Sequence, residues 1–230
     1  MDNAFYDRSC KMSELVTAHA TLVMILRRMG IAMGFGNKSI DEVCRQYGVD
    51  TNFFLLISHI YTHDGYVPSR EQILSTDMSQ LVDYLRASHR YYVETRLPHI
   101  KSHLGAIASQ LPERMATVFM RFFDDYMREV CEHFDHEEQN VYPHVEALQR
   151  GERDTRYSID TFIDSHGNLE DKLADLLQII FKYLPENLVG DDLVDVVYDI
   201  LQVSHDLNKH SLIEEKILVP YVKHLELTTR

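Results

Sequence analysis

Three His-x3-Glu pairs stand in the C-terminal half of this chain: His133–Glu137, His166–Glu170 and His210–Glu214. On an α-helix, residues four apart differ by about 40° in direction, so each pair shares a face. Such a pair can offer an imidazole nitrogen and a carboxylate oxygen to one cation, or let the carboxylate bridge two. With 13 histidines among 230 residues, about one such pair is expected by chance, so the spacing alone is a weak signal. The context is stronger. HFDHEEQNVYPHV (133–145) and HSLIEEKILVPYV (210–222) share a skeleton of His, Glu-Glu, Pro and Val, offset by 77 residues.

These blocks lie in long segments poor in glycine and proline, which read as four helices. The first spans about Met78 to Ser109, with a kink expected at Pro98. The second opens at Pro112, a good first-turn residue, and runs to about Gln149. The third spans about Ser158 to Tyr183 and the fourth Asp191 to Leu227. Short connections imply antiparallel neighbours, an all-α up-down-up-down bundle. Register then supplies a test. The turns centre near Leu111 and Leu188, and His133 and His210 each lie 22 residues beyond one of them. Counting back the same distance lands on His89 and His166. All four histidines then fall at one height, roughly 33 Å from that end of the bundle.

The expected site is therefore His89, His133, Glu137, His166, His210 and Glu214: four imidazoles and two carboxylates on two metal ions. Two carboxylates buried in a bundle core would cost several kcal/mol without cations. Without a thiolate, the set suits iron, manganese or zinc. Glu170 is a candidate neighbour of the site. His99 and His103 share a face but lie too far along the axis to join it, and they are read as structural or surface. So are His19, His59, His63, His136, His144, His205 and His224.

The formal charge of −13 argues against nucleic acid or an anionic membrane as partner. Cys10, Cys44 and Cys131 form no CxxC pair and read as free thiols in a reducing compartment. The N-terminus is too polar for a signal peptide and no apolar run is long enough to cross a bilayer, so a cytoplasmic protein is expected. Residues 1–62 read as a small helical domain, with helices ending at Gly30 and Gly48 and an N-cap at Ser39. Residues 63–76 read as a linker and 77–230 as the bundle.

His89, then H133-x3-E137, His166 and H210-x3-E214, with HRYYVETRLPHI in the first helix, resembles the hemerythrin-like di-iron bundle. RRMGIAMGFGNKSIDEVCRQYGVD is similar to the small N-terminal domain of the repair-of-iron-centres proteins. The resemblance covers nearly the whole chain. It implies two iron ions as cofactor and a role in nitrosative and oxidative stress, restoring damaged iron–sulfur clusters or supplying iron to them. Nitric oxide reduction at the site would make the protein an enzyme, whereas iron donation would not. The implied partners are damaged iron–sulfur proteins and O2 or nitric oxide, with a homodimer compatible. The other reading is a sensor or carrier that binds O2 or nitric oxide without turnover. One departure is plain: the Cys-Cys pair usual in that small domain is lost, with Gly34 and Phe35 in its place. In the first helix, His89–Arg90 stands where some relatives have paired histidines.

Overall fold

The computed structural model describes residues 6–152, 157–165, 170–186, 188 and 190–229. The described residues are helical, with no strand beyond one isolated bridge between Lys11 and Ser39. The helix expected to end at Gly30 is two, α1 (Met12–Ala18) and α2 (Leu22–Arg28), interrupted where the His19 ring sets edge-on to Tyr6. Helix α3 (Ile40–Gln46) starts at a reciprocal capping box between Ser39 and Glu42, which satisfies two otherwise orphaned donors. Helix α4 (Thr51–Thr62) is capped by Asp50. Gly30 and Gly48 follow α2 and α3 at φ of 67° and 68°, the left-handed conformation that ends helices and that glycine adopts without strain. Residues 63–76, expected as linker, carry a short helix α5 (Arg70–Ser75), nucleated by a second capping box between Ser69 and Gln72.

The first bundle helix comprises α6 (Leu81–Tyr91), a π turn (Tyr92–Arg96) and α7 (Leu97–Ala108). The second comprises α8 (Glu113–His136), a π turn (Glu137–Val141) and α9 (Tyr142–Gln149). The third is α10 (Ile159–Ser165) and α11 (Glu170–Tyr183); the fourth is α12 (Asp191–Ile213), a π turn (Glu214–Leu218) and α13 (Val219–Thr228). The described residues form an all-α helical bundle.

The kink expected at Pro98 is a π turn instead, and it recurs at Pro143 and Pro220. A proline inside an α-helix clashes with the carbonyl four residues back and donates no hydrogen bond. Here the residue before each proline reaches back five: Leu97 N–H to Tyr92 C=O, Tyr142 to Glu137, and Val219 to Glu214. One inserted residue widens the turn, and the helix continues past the proline. Each π turn thus begins six residues before a proline. In two of the three, that first residue is a candidate ligand glutamate; in the first helix it is Tyr92. π turns are rare and concentrate at functional sites.

By compactness the chain divides into Met1–Ala87 with His144–Ile159 and Ser211–Arg230, and Ser88–Pro143 with Asp160–His210. In the first unit, Leu15, Leu22, Ile25, Ile40, Phe53 and Ile57 are buried. In the second, Tyr92, Leu104, Phe123, Val130, Leu176 and Ile200 belong to one apolar core. Ion pairs in that unit report the register. Arg96 meets Asp199 and His103 meets Asp192, seven residues on in one helix and seven back in the other, so the first and fourth helices are antiparallel. Lys101 meets Asp124 and Lys172 meets Glu129, which ties the first helix to the second and the second to the third. Among the described residues, no helix is long and apolar enough to cross a membrane.

Candidate metal centre

Glu137, the first residue of the second π turn, is fully buried. Its Oε2 lies 3.0 Å from His89 Nε2 and its Oε1 3.0 Å from His133 Nε2. The carboxylate presents one oxygen to a histidine of the first helix and the other to a histidine of its own. His89 is oriented from behind. Its Nδ1 stands 3.1 Å from Glu138 Oε1, and its ring stacks on Phe134 at 4.0 Å. With Nδ1–H donated to Glu138, Nε2 keeps its lone pair, as a metal-ligating imidazole must. That nitrogen faces His210 Nε2 at 3.2 Å and the Tyr142 hydroxyl at 3.0 Å, as well as Glu137.

His89, Glu137, His210 and Glu214 each bring one ligand atom within 4.8 Å of the others, and all four are buried. Glu214 rides on the same helix as His210, one turn further and again at the start of a π turn. His133 reaches the group through Glu137 and is 16% exposed, against 0% for Glu137. His166 lies outside the described residues, as does the side chain of Glu170.

The level match differs in detail from the count made on the sequence. His89 stands opposite Glu137 and Glu138, one turn beyond His133. The Lys101–Asp124 pair puts the effective turn centre between Pro112 and Glu113 rather than at Leu111. The π turn between that end and His89 adds a further residue. Helical side chains also lean toward the helix N-terminus, which displaces partners on antiparallel helices.

Sequence reasoning missed Glu138 and Tyr142 as parts of the site. The signal for Glu138 was the Glu-Glu doublet itself. The signal for Tyr142 was its place immediately before the proline, where the C-terminal block carries Val219 instead of a phenol. Two of the nearby histidines have partners of their own. His136 interacts with Asn140. His144 Nε2 pairs with Glu226 at 2.8 Å, and that carboxylate also accepts the Ile159 N–H. Cys44 is buried and its thiol is pushed up to about 12 by burial, with Asp41 and Asp50 adding to the shift, so it does not supply a reactive thiolate.

The donor set fits a metal. Neither Glu137 oxygen accepts a hydrogen bond of good geometry, although ring nitrogens approach both. His210 Nε2 and a Glu137 oxygen both lie within 3.2 Å of His89 Nε2, which can carry at most one N–H to satisfy them. A cation resolves that convergence of lone pairs and offsets the cost of burying two carboxylates, which is several kcal/mol without one.

Residues 80–222 match the family model of the Hemerythrin HHE cation binding domain. The chain belongs to the hemerythrin family. The matched span holds His89, His133, Glu137, His210 and Glu214, with every π turn, and takes in well over half of the chain. No curated protein and no solved structure matches the chain. As a hemerythrin-family protein with a buried His/Glu group able to hold a metal, it is a metal-binding bundle of a family that typically binds iron.

Proposed function

We propose that this hemerythrin-like protein is a non-haem di-iron protein of nitrosative and oxidative stress, repairing damaged iron–sulfur clusters or supplying iron to them. The observation that carries the dinuclear reading is the placement of Glu137. One oxygen faces His89 at 3.0 Å and the other faces His133 at 3.0 Å, the disposition of a carboxylate bridging two ions. His89, His210 and Glu214 would hold one iron with Glu137; His133 would hold the other, with His166 expected as its partner from the sequence alone. Iron bound there supplies a redox-active and exchangeable centre. The protein's own residues hold it in place: Glu138 fixes the His89 ring, and Phe134 and Tyr92 wall the site from water.

The two sides are unequal, and this supports a role in iron supply. The His89 side is closed, while His133 is partly exposed, so the iron on the His133 side exchanges more readily. The similarity of residues 13–62 to the small domain of the repair-of-iron-centres proteins supports the same reading. The expected setting is a reducing compartment, with damaged iron–sulfur proteins as partners.

The test has two stages. Anaerobically reconstituted protein should hold two irons per chain, and less than one would defeat the di-iron reading. Holo-protein added to a nitric-oxide-inactivated iron–sulfur enzyme should restore its activity; no recovery with a two-iron preparation would defeat the repair reading alone. A second reading, a sensor or carrier of O2 or nitric oxide, is favoured by the Tyr142 hydroxyl 3.0 Å from His89 Nε2. It is a hydrogen-bond donor placed where a small polar ligand would sit. Reversible ligand spectra without consumption of nitric oxide would select it.

A further inference from the structure

We propose that His99, His103 and Asp199 form a second, mononuclear site for a divalent first-row cation on the outer surface of the bundle. The two histidines occupy successive turns of α7, with their rings edge-to-face at 4.6 Å between centroids. Asp199 comes from α12, and one ligand atom from each of the three lies within 4.8 Å of the other two. His99 Nε2 stands 3.1 Å from Asp199 Oδ2. Two ligands bound at right angles with bonds of about 2.1 Å stand about 3.0 Å apart, so this edge fits a cation without movement of either group.

The supporting contacts distinguish the cluster from a chance surface pair. Arg96 Nη2 takes Asp199 Oδ1 at 2.7 Å and turns Oδ2 toward the imidazoles. Asp192 Oδ1 lies 3.2 Å from His103 Nδ1, so that nitrogen donates and Nε2 is left as the ligand. Orientation of a metal-binding imidazole by a carboxylate on its other nitrogen is how such ligands are usually held. Arg96 leaves Oδ2 available and cancels one of the two aspartate charges, so the group carries one net negative charge toward an arriving cation.

Two histidines and one carboxylate, with the remaining positions open, form the set that suits iron(II) and that zinc also accepts. The ligands are accessible: His99, His103 and Asp199 are 50%, 22% and 17% exposed. The cation held here is therefore in exchange with solvent. The site lies ten residues beyond His89 on the same helix, about 15 Å along its axis. It shares no ligand with the buried centre and does not depend on what that centre holds.

The test uses the full chain with its core already loaded with iron. The protein is dialysed against micromolar zinc, and both metals are measured per chain with the iron absorption recorded alongside. One zinc should be retained with no loss of iron. H99A/H103A should abolish that zinc and leave the iron content, the iron spectrum and the melting temperature measured without zinc unchanged. D199N should raise the half-saturating zinc concentration at least tenfold; H99Q/H103Q serves if the alanine pair fails to fold. Zinc taken up only in exchange for iron, zinc retained by the double variant, or no zinc retained by the wild type would each overturn the assignment.

Discussion

Replacing Glu137 with glutamine separates a metal bridge from a structural ion-pair partner. In the wild type, iron at about a thousand times its dissociation constant stabilises the fold by about 4 kcal/mol. For a domain of this size that is roughly 8–16 °C in melting temperature, at about 2–4 °C per kcal/mol. Glu137 offers both oxygens to histidines, and an amide offers one weak donor oxygen and no charge. A loss of about two decades in affinity removes about 2.8 kcal/mol of the iron-dependent stabilisation, at about 1.4 kcal/mol per decade. The iron-dependent shift should then fall to roughly 2–5 °C. The stripped protein should behave in the opposite way. Without metal, the buried carboxylate carries a desolvation cost that the amide lacks, so stripped E137Q should melt at or above stripped wild type. Scanning calorimetry of chelator-treated and anaerobically iron-loaded samples gives all four numbers. The reasoning fails if stripped E137Q loses about 3–5 kcal/mol, the cost of breaking a buried ion pair. It also fails if the iron-dependent shift is unchanged.

Glu138→Gln, which weakens the hold on His89 Nδ1, should reduce iron affinity by about 10–100-fold without changing stoichiometry, as measured by chelator competition; full affinity would mean that packing alone orients His89. Burial holds the His59 imidazole below its ordinary value, opposed by its bond to the Tyr6 carbonyl, with His63 adding to the depression. The unfolded chain therefore binds the proton more tightly than the native one, so this stability is complete above pH of about 6.5 and is lost as pH falls through the folded value. Urea midpoints at pH 7 and pH 5 should diverge less in His59→Gln than in wild type, and an identical divergence would reject the coupling. Burial keeps the Cys44 thiol protonated up to about 12, so alkylation at pH 8 followed by peptide mass spectrometry should leave Cys44 unmodified until urea is added. Rapid native labelling of Cys44 would show that helix α3 opens readily.

Much of this protein could be read from residue spacing. Hydrophobic periodicity and the scarcity of glycine and proline placed the bundle helices within a few residues, because those signals are local and period 3.6 needs no tertiary context. Ser39, Gly30 and Gly48 marked their helix ends for the same reason. The two His-x3-Glu blocks pointed to the helices that face the centre. Counting from the turns pointed to His89, because rise per residue is nearly constant.

What the sequence could not supply was the detail of how one helix meets another. The π turns arise where a proline must be accommodated inside a packed helix, and they set the direction in which Glu137 and Glu214 point. The exchange of partners at His89, from His133 to Glu137, Glu138 and Tyr142, follows from the true turn centre and the inserted residue, which no count along one strand of sequence contains. Pairing of His99 and His103 with Asp199 joins residues about a hundred positions apart through antiparallel packing of the first and fourth helices. Ligand identity is a property of residue type and local period. Ligand geometry is a property of contact between helices, and only the folded bundle determines it.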